Sequence, residues 1–409
     1  MRPRTLVLHL QPFQRKLKPR RNDGGLTSMP ADGAKGRLGS QVLKILIVGA
    51  GVAGLAAARA LEMRGMRADI VERRNAPPTA GKSVFLLGNA TRALGELGLL
   101  EQVLRMSFPI KAQTILSSRG RVLNHTETET EWAGCGPCVA ISRQSLVKML
   151  QASLERTSID FGVTVVHTTS RLGRRAVHFL DGRVEEYDIV IGADGVRSTI
   201  RAANFPQTAP RLIGFGAWRF VTDNYYGIDR WTAMLGAGRT LLAMPLPHSQ
   251  LYLYADCAQD EFGDGSIATL KHLFANFAHP FDDIIADLDE DVDAHLAFLE
   301  DLPNQDYVGD RLVLIGDAAH ASSPNMAQGA ALAIEDGIVL ARCLRNDQAI
   351  ERALAKFSEM RRRRVEWVQK QGRMRDRLRK APDFVRNFLF LNFGTRLYRR
   401  AYRSLLEPL

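Results

Sequence analysis

Cysteine is scarce, with four residues among 409, too few for a disulfide framework in a chain of this size. They do not assemble a zinc site either. Cys135-Gly136-Pro137-Cys138 has a CxxC spacing, but no second pair at suitable spacing completes a ligand set, so no metal is expected. Thioredoxin chemistry would need Cys135 at a helix N-terminus, where a thiolate is stabilised. The helix instead reads as starting near Ser142, after an apolar strand Val139-Ala140-Ile141. Two reduced thiols near a turn are expected, which suits a cytoplasmic protein. Long hydrophobic runs are missing as well: none approaches the roughly 18 residues that a membrane-spanning helix needs. No internal repeat or low-complexity block is visible.

Acidic residues are sparse at both ends. Residues 1–41 hold nine Lys and Arg against Asp23 and Asp32, and residues 361–409 hold fifteen against four acids. Together the ends exceed the net charge of +11 carried by the whole chain, so residues 42–360 are net acidic. The first stretch has a short apolar run, residues 6–10, interrupted by His9, and makes a poor secretory core. It reads as a disordered tail, an organellar presequence, or residues upstream of a true start at Met29, with disorder or the later start expected. Residues 357–379 read as a long helix with one basic face, and residues 388–402 add apolar side chains among arginines. Docking on nucleic acid or an anionic membrane is one reading. The expected one is a helix packing its apolar face on the body with its arginines solvated, because no nucleic-acid fold motif accompanies them.

What is present begins at residue 43. Residues 43–48 (LKILIV) form an apolar strand, Gly49-Ala50-Gly51-Val52-Ala53-Gly54 a glycine turn, and residues 55–64 a helical run. This is the order a βαβ dinucleotide site requires. Gly49 permits the tight turn, Gly51 lets backbone approach a pyrophosphate, and Gly54 lets the helix pack close to the strand. The helix N-terminus then faces the phosphate charge. A second strand ends at Glu72, 18 residues past Gly54, where a carboxylate can hold a ribose hydroxyl. NAD and FAD both present such a ribose, so this element alone leaves the choice open.

A second nucleotide-loop element lies far downstream. Residues 311–337 supply an apolar strand, an exposed Gly316-Asp317, a loop containing Pro324, and an Ala-rich helix opening at Gln328-Gly329. Asp317 is either an acid at the carboxyl end of a strand, where open sheets bind ligands, or a helix-start cap. The helix near Gly329 offers unpaired N–H groups and partial positive charge. The two elements together suggest one long cofactor gripped at both ends. Between them, residues 112–123 and 212–257 carry short strands separated by turns and read as an antiparallel sheet with hairpins. In the strand from Phe215, period two puts Phe215, Ala217 and Arg219 on one face and Trp218 and Phe220 on the other. Arg219 is either the residue that orients a polar or anionic substrate group or an outward ion-pair partner. Met244 and Tyr252 either line a cavity or belong to the core.

Residues 188–201 read DIVIGADGVRSTIR. With the glycine turn and residues 311–337, they resemble the motif set of the class A flavoprotein monooxygenases, the para-hydroxybenzoate hydroxylase-like family, over roughly residues 42–365. The resemblance implies an α/β fold: a Rossmann-like FAD-binding domain with an inserted antiparallel β-sheet substrate domain and a C-terminal helical segment. Residues 42–111, 134–205 and 300–360 would form the FAD domain, 112–133 and 206–299 the substrate domain, and 361–409 the basic helices. The implied FAD contacts are Gly49, Gly51, Val52, Ala53 and Gly54 at the pyrophosphate, and Glu72 at the adenosine ribose, with Arg73 and Ser83 alongside. Arg143 opens a helix and reaches the cofactor, Asp194 and Arg197 belong to the DG motif, and Asp317 meets the ribityl chain. Gln328, Gly329 and Ala330 form the flavin loop, where the helix start would stabilise reduced flavin, and Pro324 lies near the reactive edge. His320 either carries a proton or serves structurally. Where the family commonly has Gly-Gln-Gly, this chain has Ala327-Gln328-Gly329, so a methyl narrows the backbone angles available there.

The implied activity takes electrons from NADH or NADPH, forms a flavin C4a-hydroperoxide with molecular oxygen, and hydroxylates an electron-rich ring, a phenol or amino-aromatic. A halogenase or reductase is the same-fold alternative, although the Trp-x-Trp-x-Ile-Pro pattern of halogenases is missing. A flavin-containing binding protein that uses its basic ends is the alternative from another class.

Overall fold

The computed structural model describes residues 43–77, 82–303, 307–346 and 349–409. The readings of residues 1–41, Met29 included, lie outside the described residues. The strand Ile45–Val48 is buried at every position, which explains its uninterrupted apolar run: a parallel strand covered on both faces has no solvent side to alternate with. It pairs in parallel with Ala68–Glu72 on one side and Ile189–Gly192 on the other. Ile159–Phe161 and Leu312–Leu314 extend the sheet in parallel, and Val308–Gly309 adds an antiparallel edge. The three sequence motifs thus leave the carboxyl ends of three neighbouring strands, where open sheets bind ligands.

Two helices cover one face of this sheet. Val52–Glu62 follows the glycine turn, and Gly329–Asn346 lies against it. A Cβ at Gly337 would stand 2.7 Å from the backbone of Ala57, so only glycine lets these helices approach so closely.

The second large sheet runs in the order His295–Asp301, Arg211–Asp223, Gln250–Ala258, Arg239–Leu246, Trp231–Gly236, Ala112–Ser117, Val122–Glu127. It is mixed and not purely antiparallel, because Ala112–Ser117 and Trp231–Gly236 run parallel. The chain leaves the sheet between them to build part of the nucleotide-binding layer, and a parallel pair needs such a crossover. Trp218, Phe220, Met234 and Leu241 pack on one face beneath Ile267–Phe274 and Phe281–Ala286. Each such buried side chain contributes roughly 1.5–3 kcal/mol. The other face carries Phe215, Ala217, Arg219, Tyr252 and Tyr254. Two small antiparallel sheets complete the body, Ser83–Leu86 with Val139–Ser142 and Phe108–Pro109, and a meander from Val165 to Tyr187.

The C-terminal helices span Ile350–Arg379 and Asp383–Leu406. Their arginines are not simply solvated, as the sequence reading expected. Arg361 and Arg386 are fully buried; Arg361 pairs with Glu335 and Asp336, Arg364 with Glu335, and Arg379 with Asp256. The acidic body supplies the partners that let these cations enter. Among the described residues, no helix is long and apolar enough to cross a membrane.

Candidate functional site

The glycine turn is built for close backbone approach. Gly49 has φ +111°, and a Cβ there would lie 2.5 Å from Ala193 O. A Cβ at Gly54 would lie 2.0 Å from Gly49 O, whereas at Gly51 it would meet nothing within 4 Å. Two glycines are therefore demanded by packing, and the middle one faces open space. Glu72 fixes the turn from below, its Oε2 accepting from Ala50 N at 3.0 Å and its Oε1 from Arg74 N at 3.0 Å. A carboxylate has about four lone-pair positions, so Glu72 keeps acceptor capacity.

The distant motif is brought to the same place. A Cβ at Gly316 (φ +59°) would lie 2.7 Å from Ala53 Cβ, which sets the following Asp317 beside the glycine turn. Asp317 opens the short helix Asp317–His320 and is exposed. The Cβ position of Gly329 is 3.8 Å from Asp317 Oδ1, so the long helix starts next to this carboxylate. Val52 and Ala53 are buried at the start of their helix, and Ala330 is half-buried in the first turn of its own.

Buried ions lock this junction. Asp336 Oδ2 accepts from Gly316 N at 2.9 Å and faces His320 Nε2 at 2.6 Å, while its Oδ1 accepts from Arg361 Nε at 2.7 Å. Burial pushes the Asp336 carboxyl up, but the His320 and Arg361 charges and these hydrogen bonds outweigh it, holding it at about 2. His320 is thereby engaged by a buried partner as a support of the Gly316 turn. Gln328 is buried and exchanges hydrogen bonds with Asn89, which also donates to Glu335 at 3.0 Å.

Ser83 and Arg143 come together because Ser83 pairs with Ser142 across the small sheet. Ser142 caps the helix Arg143–Ala152, its Oγ accepting from Ser145 N. Ser83 Oγ and Arg143 Nε are buried without a hydrogen-bond partner among the described residues, an arrangement that costs stability until a ligand supplies one. Asp194 Oδ2 accepts from Thr199 N at 2.7 Å and Ile200 N at 3.2 Å, capping Thr199–Asn204, while its Oδ1 is buried and unpartnered. Burial raises its carboxyl above the usual range despite those bonds. Orphaned polar atoms, an open glycine cradle and two helix N-termini suit a dinucleotide such as FAD. Arg73, next to Glu72, is exposed, and Arg197, in the same loop as Asp194, is exposed and lies 3.7 Å from Glu300.

On the large sheet, Arg219 stands opposite Tyr254 on one neighbouring strand and His295 on the other. Its guanidinium carbon is 5.5 Å from the Tyr254 ring centroid. Burial raises the Tyr252 hydroxyl above its ordinary value, opposed by the Arg219 charge. Met244 pairs with Tyr252 across the sheet, and both join the core cluster that also holds Met326. Phe85, Trp231, Tyr254 and Ala327 are half-buried against that cluster, so this face meets the Pro324–Met326 turn. Pro324 itself is exposed, and Ala327 adopts the left-handed conformation with φ +50°.

Sequence reasoning missed Asn89, Tyr254, Asp256, Asn325, Asp376 and Arg379. Tyr254 and Asp256 share a strand face with Tyr252, and period two alone would have found them. The others meet partners up to 246 residues away and carry no local signal.

A family model described as an FAD binding domain matches residues 42–218 and 288–371. The chain is 31% identical over 347 residues to 2-heptyl-3-hydroxy-4(1H)-quinolone synthase of Pseudomonas aeruginosa, covering 81% of this chain and 88% of that protein. It is 30% identical over 325 residues to aurachin C monooxygenase/isomerase of Stigmatella aurantiaca, covering 78% and 85%. Klebsiella pneumoniae HpxO, solved in complex with FAD and uric acid, matches with a TM-score of 0.76 at 25% identity over 90% of this chain and 93% of that one.

Proposed function

The chain belongs to the class A flavoprotein monooxygenases, FAD-dependent enzymes of aromatic hydroxylation, and from that premise we propose that it uses NADH or NADPH and molecular oxygen to hydroxylate an electron-rich aromatic or heteroaromatic small molecule. The observation that carries this reading is the meeting of the Gly49–Gly54 turn with Asp317 and Gly329, two elements more than 260 residues apart in sequence.

In this reading Gly49, Gly51, Val52, Ala53 and Gly54 hold the pyrophosphate, Glu72 the adenosine ribose, and Asp317 the ribityl chain. Arg143 and Ser83 give their orphaned atoms to the cofactor, and Gln328, Gly329 and Ala330 present the helix N-terminus to the flavin ring. Bound FAD supplies the electron transfer and oxygen activation that side chains cannot. The protein binds, orients and excludes water. Arg219 faces the substrate and favours the ionised form of a ring hydroxyl or lactam, which enriches the ring in electrons. Tyr252, its hydroxyl raised by burial, keeps its proton at neutral pH and donates to the substrate oxygen. Phe85 and Trp231, with ring centroids 6.4 Å apart, give the pocket an aromatic wall. The relatives named for quinolone and urate chemistry make fused heteroaromatic rings the first class to try.

The test is NADH or NADPH oxidation by the FAD-loaded protein with 4-quinolones, phenols, aminobenzoates and purines. The expected result is substrate-stimulated oxygen consumption with hydroxylated product. Reductant oxidation that no ring compound stimulates supports the reductase alternative, and a catalytically silent protein with salt-sensitive polynucleotide or lipid binding supports the binding-protein one.

A further inference from the structure

The helix Ile350–Arg379 reaches both halves of the site. Asp376 Oδ1 accepts from Ser323 Oγ at 3.0 Å and from Asn325 Nδ2 at 2.8 Å, the two residues that flank Pro324. Asn325 Nδ2 also donates to Gly372 O at 3.0 Å, and Arg375 Nη1 donates to Asn325 O at 2.7 Å. Four hydrogen bonds therefore hold a three-residue turn to one helix.

Three residues beyond Asp376, Arg379 lies 3.6 Å from it and pairs with the fully buried Asp256 of the substrate-facing sheet. The Arg379 guanidinium carbon also sits 3.5 Å from the centroid of the Phe215 ring. Asp256 Oδ2 accepts from Tyr254 Oη at 2.6 Å, and Tyr254 is the cross-strand neighbour of Arg219. A chain of contacts thus runs from the Pro324 turn by hydrogen bonds to Asp376, by ion pairs through Arg379 to Asp256, by a hydrogen bond to Tyr254, and across that ring to Arg219. Every charge on it is largely buried, where unpaired charges are costly and paired ones hold their geometry.

We propose that Asp376 and Arg379 are positioning residues that set the separation between the Pro324 turn, which faces the flavin, and the strand Gln250–Ala258, which carries substrate contacts. The catalytic meaning of that separation rests on the monooxygenase reading; the mechanical coupling does not. The basic C-terminus is then an internal brace of the active site.

The test is amide hydrogen exchange on the full-length FAD-loaded protein, comparing Asp376→Ala, Asp376→Asn and Arg379→Lys with the parent. Asp376→Ala is expected to speed exchange about tenfold in both residues 325–327 and residues 252–256, with FAD retained. Asp376→Asn keeps an acceptor for Ser323 and Asn325, so it restores the turn and leaves the strand loosened. Arg379→Lys keeps the charge but loses the planar fork, loosening the strand and not the turn. Faster exchange confined to residues 370–379, or spread evenly over all strands, overturns the proposal. If Asp376→Ala does not fold, the other two variants still give opposite answers for a brace and for a merely stabilising helix. Because nothing turns over, a negative result leaves the enzymatic reading intact, and a failed activity screen leaves this test valid.

Discussion

At Asp336, burial pushes the carboxyl up while the Arg361 guanidinium and the His320 ring pull it down, and the partners win. The sign of the pH effect follows. With a folded pKa of about 2 against roughly 3.9 unfolded, Asp336 contributes its stability fully above the unfolded value and loses it as pH falls from about 4 towards 2. The contribution is roughly 2–3 kcal/mol. Thermal melts from pH 6 to pH 2 should show Asp336→Asn less stable at neutral pH but flatter in that acid window. Asp336→Ala, which leaves Arg361 and His320 without their shared anion, should cost about 3–5 kcal/mol. Arg219 supports a different expectation, since its partners Tyr252 and Tyr254 lie on the sheet that faces the substrate. Arg219→Ala should retain FAD while product per NAD(P)H consumed falls at least about tenfold, the effect of losing a charged contact of about 1.4 kcal/mol or more. Unchanged product yield would remove Arg219 from the substrate site. The glycines, Glu72 and Asp317 were legible because each belongs to a short strand–turn–helix pattern. The brace of Asp376 and Arg379 was not, since its partners lie 51 and 123 residues away.

Among the elements, the turn at Ala327 carries a backbone cost that glycine would avoid. A left-handed residue with a Cβ loses about 1–2 kcal/mol, while glycine adds about 0.4–1 kcal/mol of unfolded-state entropy. Ala327→Gly should therefore leave stability unchanged or raise it by up to about 1.6 kcal/mol, whereas Ala327→Val, β-branched at φ +50°, should lower it in a denaturant titration. Gly337 is less forgiving. A methyl there meets the Ala57 backbone at 2.7 Å, and Gly337→Ala should cost about 1–3 kcal/mol and weaken FAD retention, because the two helices it separates carry the glycine turn and Gly329. Flavin absorbance after gel filtration checks the second effect. Strand positions were readable from period two, but the parallel pairing of Ala112–Ser117 with Trp231–Gly236 was not, because pairing depends on where the chain travels between strands.

For the molecule as a whole, the uneven charge of the sequence turns out to be a packing instruction. An acidic body and a basic C-terminus meet as buried pairs, Arg361 with Glu335 and Asp336, and Arg379 with Asp256. Composition revealed the asymmetry but not its destination, since a solvated basic face and a paired one have the same residue content. The fold class was legible from the order of three motifs, each leaving a strand of one parallel sheet. In the proposed function, this sheet and its distant loops form one flavin site that transfers oxygen from the gas to a ring. Its most direct test is turnover of the FAD-loaded protein under ¹⁸O₂ with NADH or NADPH and a 4-quinolone or phenol that stimulates oxidation. One ¹⁸O atom is expected in the hydroxylated product; product oxygen drawn from water would overturn the proposed function.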